Sequence, residues 1–280
     1  MGILKSKPAR CSKIATSRLK SLARTYSNAS PPPLGCKYDL RYARSFPYPT
    51  HSIPERELEG RRDLRQERIF TIDPTGAKDL DDALSIKAND DGTYDIGVHV
   101  ADVSYFVKPN TALDRDAKKR ATSVYLVQRA VPMLPPILSE ELCSLNFAKD
   151  RLAFSVIFTM TKEAKVTKKW FGRTVIRSSA QLSYANAQDA IEGKLLGDVP
   201  VAPEHDASAI EHDIKILHEI AQVLKDRRFK AGALSADTPK LSFTLDGTGK
   251  PIDCDQSAFS DANALIQEVQ FIPSSQVWPG

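Results

Sequence analysis

The sequence predicts an α+β fold, a mixed and largely antiparallel sheet with helices packed around it. Three observations support this. Ile69-Phe70-Thr71-Ile72 and the stretch 94–103 are rich in β-branched and aromatic residues, which suit a pleated, half-buried surface, and Asn89-Asp90-Asp91-Gly92 is a hairpin signal before the second of them. Leu152, Phe154, Val156, Phe158 and Met160 alternate as in a strand, and Lys162-Glu163-Ala164 turns that strand back into a second one over 166–177. Ile210, Ile214, Leu217, Ala221 and Leu224 recur at helical spacing, predicting an amphipathic helix over about 206–230 that stops near Gly232. A hydrophobic share of 41% supports a proper core.

In chain order, residues 1–45 differ from the rest. They are rich in Lys, Arg and Ser, hold no acid before Asp39, and include Pro31-Pro32-Pro33. The bland reading is a disordered basic segment; the sharper one is a mitochondrial transit peptide. Residues 46–67 are a charged lead-in. Pro74 and Gly76 end the first strand and force a turn, and 83–86 resumes the extended pattern. Asn110 or Thr111 caps a helix running to about Ala121. Thr122 to Val127 reads as a strand carrying Tyr125, and Pro132, Pro135 and Pro136 make a rigid turn. Short helices follow over 139–145 and 183–192. Leu241 to Leu245 alternates, Asp246-Gly247 turns, and Ile252 lies in the return strand. A last helix is expected over 261–269, because Pro273 and Pro279 cannot continue one.

The unusual feature is acidic. Asp73, Asp79, Asp81 and Asp82 lie within ten residues, between two apolar strands. Two like charges about 4 Å apart repel by roughly 4 kcal/mol at an effective dielectric of 20. Solvent or a cation must offset this. Mg²⁺ prefers carboxylate and water oxygens, and a pair of such ions is a common device for phosphodiester cleavage. The alternative is a solvated acidic turn. Leu80 interrupts the acids and the flanks are apolar, which favours a loop held on a rigid sheet. The spacing does not fit an EF-hand calcium loop.

Ile72-Asp73-Pro74 followed by Ala77-Lys78-Asp79-Leu80-Asp81-Asp82-Ala83-Leu84 resembles the signature of the RNB domain, the catalytic domain of the ribonuclease II and R exoribonucleases. Gly97-Val98-His99-Val100-Ala101-Asp102-Val103-Ser104, Thr122-Ser123-Val124-Tyr125-Leu126, Val131-Pro132-Met133-Leu134-Pro135 and Leu142-Cys143-Ser144-Leu145-Asn146 are similar to further blocks of that family, in its order. Trp170-Phe171-Gly172-Arg173-Thr174 and Leu182-Ser183-Tyr184 resemble the eukaryotic exosome-independent Dis-three-like branch. The resemblance covers about 46–268 and divides the chain into a basic segment (1–45), part of an RNB catalytic domain (46–270) and a divergent tail (271–280). Gln267 stands where the family carries a glutamate. The family's later blocks and its flanking RNA-binding domains have no counterpart here, so the chain is expected to be the first part of an RNB domain.

The resemblance implies a Mg²⁺-dependent exoribonuclease that degrades single-stranded RNA from the 3′ end to nucleoside 5′-monophosphates. Asp73, Asp79, Asp81 and Asp82 would hold the metal and position water, with Asp81 the least dispensable. Tyr125 would stack near the 3′-terminal bases; the alternative is a core tyrosine, and alternation favours the first, since with Val124 and Leu126 facing the core Tyr125 faces the other way, beneath the aspartates. The rival readings are a non-catalytic RNA-binding pseudo-nuclease and an inactive gene fragment. The net charge of +4 is concentrated at the start: residues 1–38 carry eight Lys/Arg, leaving 31 basic against 35 acidic residues beyond. Net charge alone therefore gives no reason to expect nucleic acid, and an RNA path must be a local groove. DNA is not expected as a partner, and neither is a membrane, because no apolar run is long enough for a transmembrane helix. The four cysteines form no CxxC pair and read as reduced thiols. The branch resembled makes the cytoplasm the expected compartment and the mitochondrion the alternative.

Overall fold

The computed structural model describes residues 53–127, 130–234, 240–248, 250–257 and 259–277. The basic segment 1–45, and with it Cys11 and Cys36, lies outside the described residues.

A short helix α1 (Glu55–Leu58) leads into β1 (Arg62–Asp63) and β2 (Ile69–Asp73). The hairpin of β3 (Asp82–Ala88) and β4 (Tyr94–Ala101) turns at Asn89–Gly92, where Gly92 takes the positive φ of 78° that the turn requires. Helices α2 (Val103–Phe106) and α3 (Ala112–Arg120) follow, then a small ribbon of β5 (Val124–Tyr125) and β6 (Ala130–Val131), a π-helical turn (Ile137–Leu142), and the long hairpin of β7 (Asp150–Met160) and β8 (Val166–Ser183). Helices α4 (Tyr184–Ile191) and α5 (Ala207–Lys230), the ribbon of β9 (Lys240–Leu245) and β10 (Pro251–Ser257), and α6 (Asp261–Val277) complete the chain.

The main sheet has the order β1-β8-β2-β3-β4-β7, and β7 also pairs with β8. Strand β8 is long enough to serve both ends. Its first part is antiparallel to β7, and its last six residues run parallel to β2, with Ile72 opposite Leu182 and Asp73 opposite Ser183. The sheet therefore closes on itself. Only the contacts of β8 with β1 and β2 are parallel, giving the mixed, largely antiparallel sheet expected. One sheet face supplies Phe70, Leu84, Ile96, Phe158 and Leu182 to a core completed by α4, α5 and α6. Ile210, Ile214 and Leu217 of α5 are fully buried, as their spacing predicts. Each such side chain contributes roughly 1.5–3 kcal/mol.

The other face carries a closed polar cluster. Arg61 and Asp102, with side chains 2% and 3% exposed, form an ion pair at 2.6 Å. Ser104 Oγ donates to Asp102 Oδ1 at 2.7 Å, and Arg61 also donates to the carbonyls of Ala153 and Thr174. Beside them His99, fully buried, bridges Ser155 Oγ at 2.7 Å and Ser85 Oγ at 2.9 Å, and Ser155 bonds Thr174 at 2.6 Å. Gly97 permits this: a Cβ there would lie 2.4 Å from Ser85 Oγ and 2.6 Å from His99 Nε2.

Several elements differ from their predicted bounds. Strand β8 continues past Arg177 because Ser178 and Ser179, polar in sequence, are buried and donate to the carbonyls of Leu145 and Ile69. Only Val124–Tyr125 of the strand expected over 122–127 finds a partner. The helix expected over 139–145 is the π-turn Ile137–Leu142, and β4 ends at Ala101, where Asp102 turns into the Arg61 pair. Thr111, not Asn110, caps α3, accepting from the Asp114 N–H. Helix α6 runs through Pro273 to Val277, against the expected stop near residue 269. Proline there forfeits one backbone hydrogen bond, while the buried stripe Leu265, Ile266, Val269 and Ile272 holds the helix from one side.

Candidate active site

The four acids sit where β2 ends and β3 begins. Asp73 is the last residue of β2, and Asp82 is the first of β3, paired with Val100 of β4. The intervening turn closes with Ala77 N–H donating to the Pro74 carbonyl at 3.0 Å, and Gly76 takes a φ of 80°. Leu80 is fully buried and anchors the turn between the acids. The segment after the π-turn fastens it further. Leu80 N–H donates to Ser144 Oγ, Ser144 Oγ donates to the Lys78 carbonyl, and Leu145 N–H donates to the Leu80 carbonyl, at 3.0, 2.7 and 3.0 Å. Ala101 N–H holds the Asp81 carbonyl at 2.9 Å. The carboxylates thus project from a backbone secured to the sheet and to residues 144–145.

Burial and like charge dominate their electrostatics. Burial pushes the Asp73 carboxyl up to about 7; Thr71 offsets this in part, and the charges of Asp82, Asp81 and Asp79 add to it. Thr71 Oγ1 and Asp73 Oδ2 are nevertheless both buried without a hydrogen-bond partner among the described residues, so Thr71 acts as a nearby dipole and Asp73 Oδ2 is an acceptor with no donor. Partial burial, then Asp79 and Asp82, raise Asp81; burial raises Asp82. None of the four carboxylates is paired with a described Lys, Arg or His. Asp73 feels all three of the others, so the acids share one neighbourhood although they occupy two strand ends and a turn.

The arrangement is open. Among the described residues no three or more His, Cys, Asp or Glu side chains are spaced to enclose a metal ion. The donor chemistry still fits Mg²⁺. That ion keeps several waters and is usually held by one or two carboxylates together with substrate phosphates, and the orphaned Asp73 Oδ2 is an acceptor that a cation would satisfy.

Tyr125 is 68% exposed, and its hydroxyl donates to Asp79 Oδ2 at 2.8 Å. That bond, with lesser contributions from burial and the acid charges, pushes its hydroxyl up to about 12. Tyr125 therefore borders the acids and is not a core residue. The alternation argument fails for its neighbours: Val124 and Leu126 are also exposed, at 45% and 47%, because the ribbon is too short to pack. Two other side chains reach the site unforeseen. Tyr184, at the start of α4, is close enough to Asp73 and Asp82 that, after burial, their charges raise its hydroxyl. Gln270 of α6 donates from Nε2 to Asp82 Oδ2 at 2.8 Å across 188 residues of sequence. The adjacent Ser183 capping box marks Tyr184 as a helix start, but no local pattern marks Gln270.

The family model of the RNB domain matches residues 61–272. The chain is 48% identical over 229 residues to DIS3-like exonuclease 2 of Schizosaccharomyces pombe, covering 80% of this chain and 25% of that protein. It is 44% identical over 234 residues to a protein of Arabidopsis thaliana described as an inactive exonuclease DIS3L2, covering 81% of this chain and 22% of that one. Mycoplasma genitalium RNase R, solved in complex with ribose-methylated single-stranded RNA, superposes with a TM-score of 0.73 at 25% identity, covering 81% of this chain and 34% of that one. The chain thus spans about a quarter of the length of these curated relatives. With the four acids on two strand ends and the turn between them, a closed mixed sheet beneath them and a match across most of the chain, the protein belongs to the RNB domain family.

Proposed function

We propose that this chain carries the acidic centre of a Mg²⁺-dependent exoribonuclease that hydrolyses single-stranded RNA from its 3′ end to nucleoside 5′-monophosphates. The observation that supports this reading most is Asp73, a half-buried carboxylate among three other acids that has, among the described residues, an unpartnered oxygen and no neutralising side chain. A fold gains no stability from such a group, and clustered, perturbed carboxylates are what metal-assisted phosphodiester chemistry needs. When bound, Mg²⁺ supplies charge stabilisation for the attacking and leaving oxygens. The chain's own groups do the rest. Asp73, Asp79, Asp81 and Asp82 present acceptor oxygens from a backbone that Leu80 and Ser144 fix. Tyr125 offers an exposed ring to any base, worth roughly 1–3 kcal/mol of stacking without sequence preference, while its hydroxyl steadies Asp79.

The purified chain is to be incubated with 5′-labelled single-stranded RNA in Mg²⁺ or in EDTA. Stepwise shortening in Mg²⁺, absent in EDTA and absent in Asp81→Asn, is expected. Internal cuts, or equal cleavage by Asp81→Asn, would overturn the reading. A second reading, RNA binding without cleavage, is favoured by the 44% identity to a relative described as inactive; RNA retention by wild type with no shortening would select it. We place the protein in the cytoplasm, and imaging of a C-terminally tagged chain inside mitochondria would displace that assignment.

A further inference from the structure

Among the four acids, Asp82 is the one tied to a distant helix. Its backbone is set by the first rung of the β3–β4 ladder, opposite Val100, which leaves only its side-chain torsions free. Helix α6 reaches it with Gln270, whose amide nitrogen donates to Oδ2 at 2.8 Å. The helix is well fixed at that point. Leu265, Ile266, Val269 and Ile272 are buried in the core on one side. Glu268, 4% exposed, is gripped by Arg228 of α5 through an Nε–Oε2 bond of 3.1 Å and a second, shorter contact. Gln270 lies off this buried stripe, exposed, so its side chain contributes little to the core and reaches Asp82 instead.

The chemistry of the contact is selective. An amide satisfies one carboxylate oxygen without bringing positive charge. A lysine or arginine would neutralise Asp82 and compete with any cation. The bond occupies Oδ2 and, among the described residues, leaves Oδ1 unengaged, fixing the plane in which that oxygen is presented. Donors placed behind a metal-binding carboxylate orient it, and their loss commonly weakens metal binding 10–100-fold.

We propose that Gln270 is a positioning residue for Asp82, holding that carboxylate in one orientation so that its free oxygen is presented to a divalent cation. The inference rests on the reading of the acids as a cation site.

The test uses the full chain, with Mn²⁺ as the probe. Its binding is followed by calorimetry and by the electron paramagnetic resonance signal of free Mn²⁺, alongside thermal melting in EDTA. Gln270→Ala, and Gln270→Met, which keeps length and helix propensity but removes the donor, are both expected to weaken Mn²⁺ binding about 10-fold or more, with melting in EDTA unchanged. Mn²⁺ affinity unaltered in both variants overturns the proposal. So does a lowered melting temperature with unaltered affinity, which would make Gln270 a structural staple only. If wild type binds no Mn²⁺, or if Asp82→Asn binds it as tightly as wild type, the cation reading of the site fails and the positioning role fails with it. Those results are separable from the case in which only the Gln270 variants are silent.

Discussion

Two polar clusters stand on the same sheet, and they are built on opposite principles. Around Arg61, Asp102, His99, Ser155 and Thr174 the buried groups meet one another: Asp102 takes Arg61 and Ser104, and His99 has a hydroxyl at each ring nitrogen. Burial alone would raise Asp102, but Ser104 and Arg61 hold it below the usual carboxylate range. At Asp73 burial and the like charges of Asp82, Asp81 and Asp79 all push the carboxyl up, and one oxygen has no partner among the described residues. The first cluster is paired because pairing makes its burial tolerable. The second has neutral donors at Asp79 and Asp82 but no cationic partner among the described residues, and Asp73 keeps a buried acceptor without a donor, which costs stability. Equal density of polar residues in a sequence therefore does not mean equal purpose; the difference lies in whether donors accompany acceptors.

The comparison can be broken most sharply at the ion pair. Asp102→Ala strands Arg61 in the interior and is expected to cost about 3–5 kcal/mol, read as a loss of midpoint in urea unfolding. A neutral effect would mean that the closed cluster does not support the sheet. Gly97→Ala is the next largest. Its Cβ would meet Ser85 and His99 at contact distances no real side chain shows, and an overpacking cost of about 1–3 kcal/mol is expected.

The third test uses pH. Burial lowers the His99 ring to about 3 in the folded chain, against roughly 6.5 when unfolded. Between these values the unfolded state binds the extra proton, so this contribution is intact above about 6.5 and is lost as pH falls towards 3. The loss should reach about 2 kcal/mol between pH 6.5 and 5. His99→Gln should flatten that part of the stability curve, and an unchanged slope would refute the assignment. Asp73 has the opposite sign. Its folded pKa of about 7 lies above the unfolded value, so its contribution declines as pH rises from about 4 to 7. The smallest effect is expected at the open cluster. Asp73→Asn removes a repelled charge and should raise stability at pH 8 by about 0.5–2 kcal/mol in EDTA, while Asp102→Asn should not. Destabilisation by Asp73→Asn would place Asp73 among the paired, structural acids.

What could be read in the sequence was what is local. Alternation revealed β7, helical spacing revealed α5, and the acids announced themselves by standing within ten residues of one another. Leu80 was legible as an anchor because an apolar residue amid carboxylates has few other uses. Long-range partners were not legible. The end of β8 was hidden because Ser178 and Ser179 are polar letters serving as buried donors to remote carbonyls. Ser144, which fastens the acidic turn, lies 64 residues from the backbone N–H it accepts. The extension of α6 through Pro273 defeated a propensity rule, because tertiary burial of the helix outweighs one missing backbone bond. Gln270 resembles any exposed helical glutamine until α6 is laid beside β3.

The double duty of β8 has a consequence for how the protein is made. Strand β2, which carries Asp73, is held on one side by β3 but on the other by residues about a hundred positions later, as in the Ser179 to Ile69 bond at a separation of 110. At roughly 5–20 residues per second a ribosome needs about 5–20 s to supply that partner. Over that interval β2, β3 and β4 can pair by local hairpins, leaving β2 as a bare edge with unpaired backbone donors and acceptors. Pairings of such high contact order form slowly, and exposed strand edges are templates for other chains. The strand bearing the first acid is therefore the one most exposed to mispairing during synthesis, and the acidic turn gains its second wall only when β8 emerges.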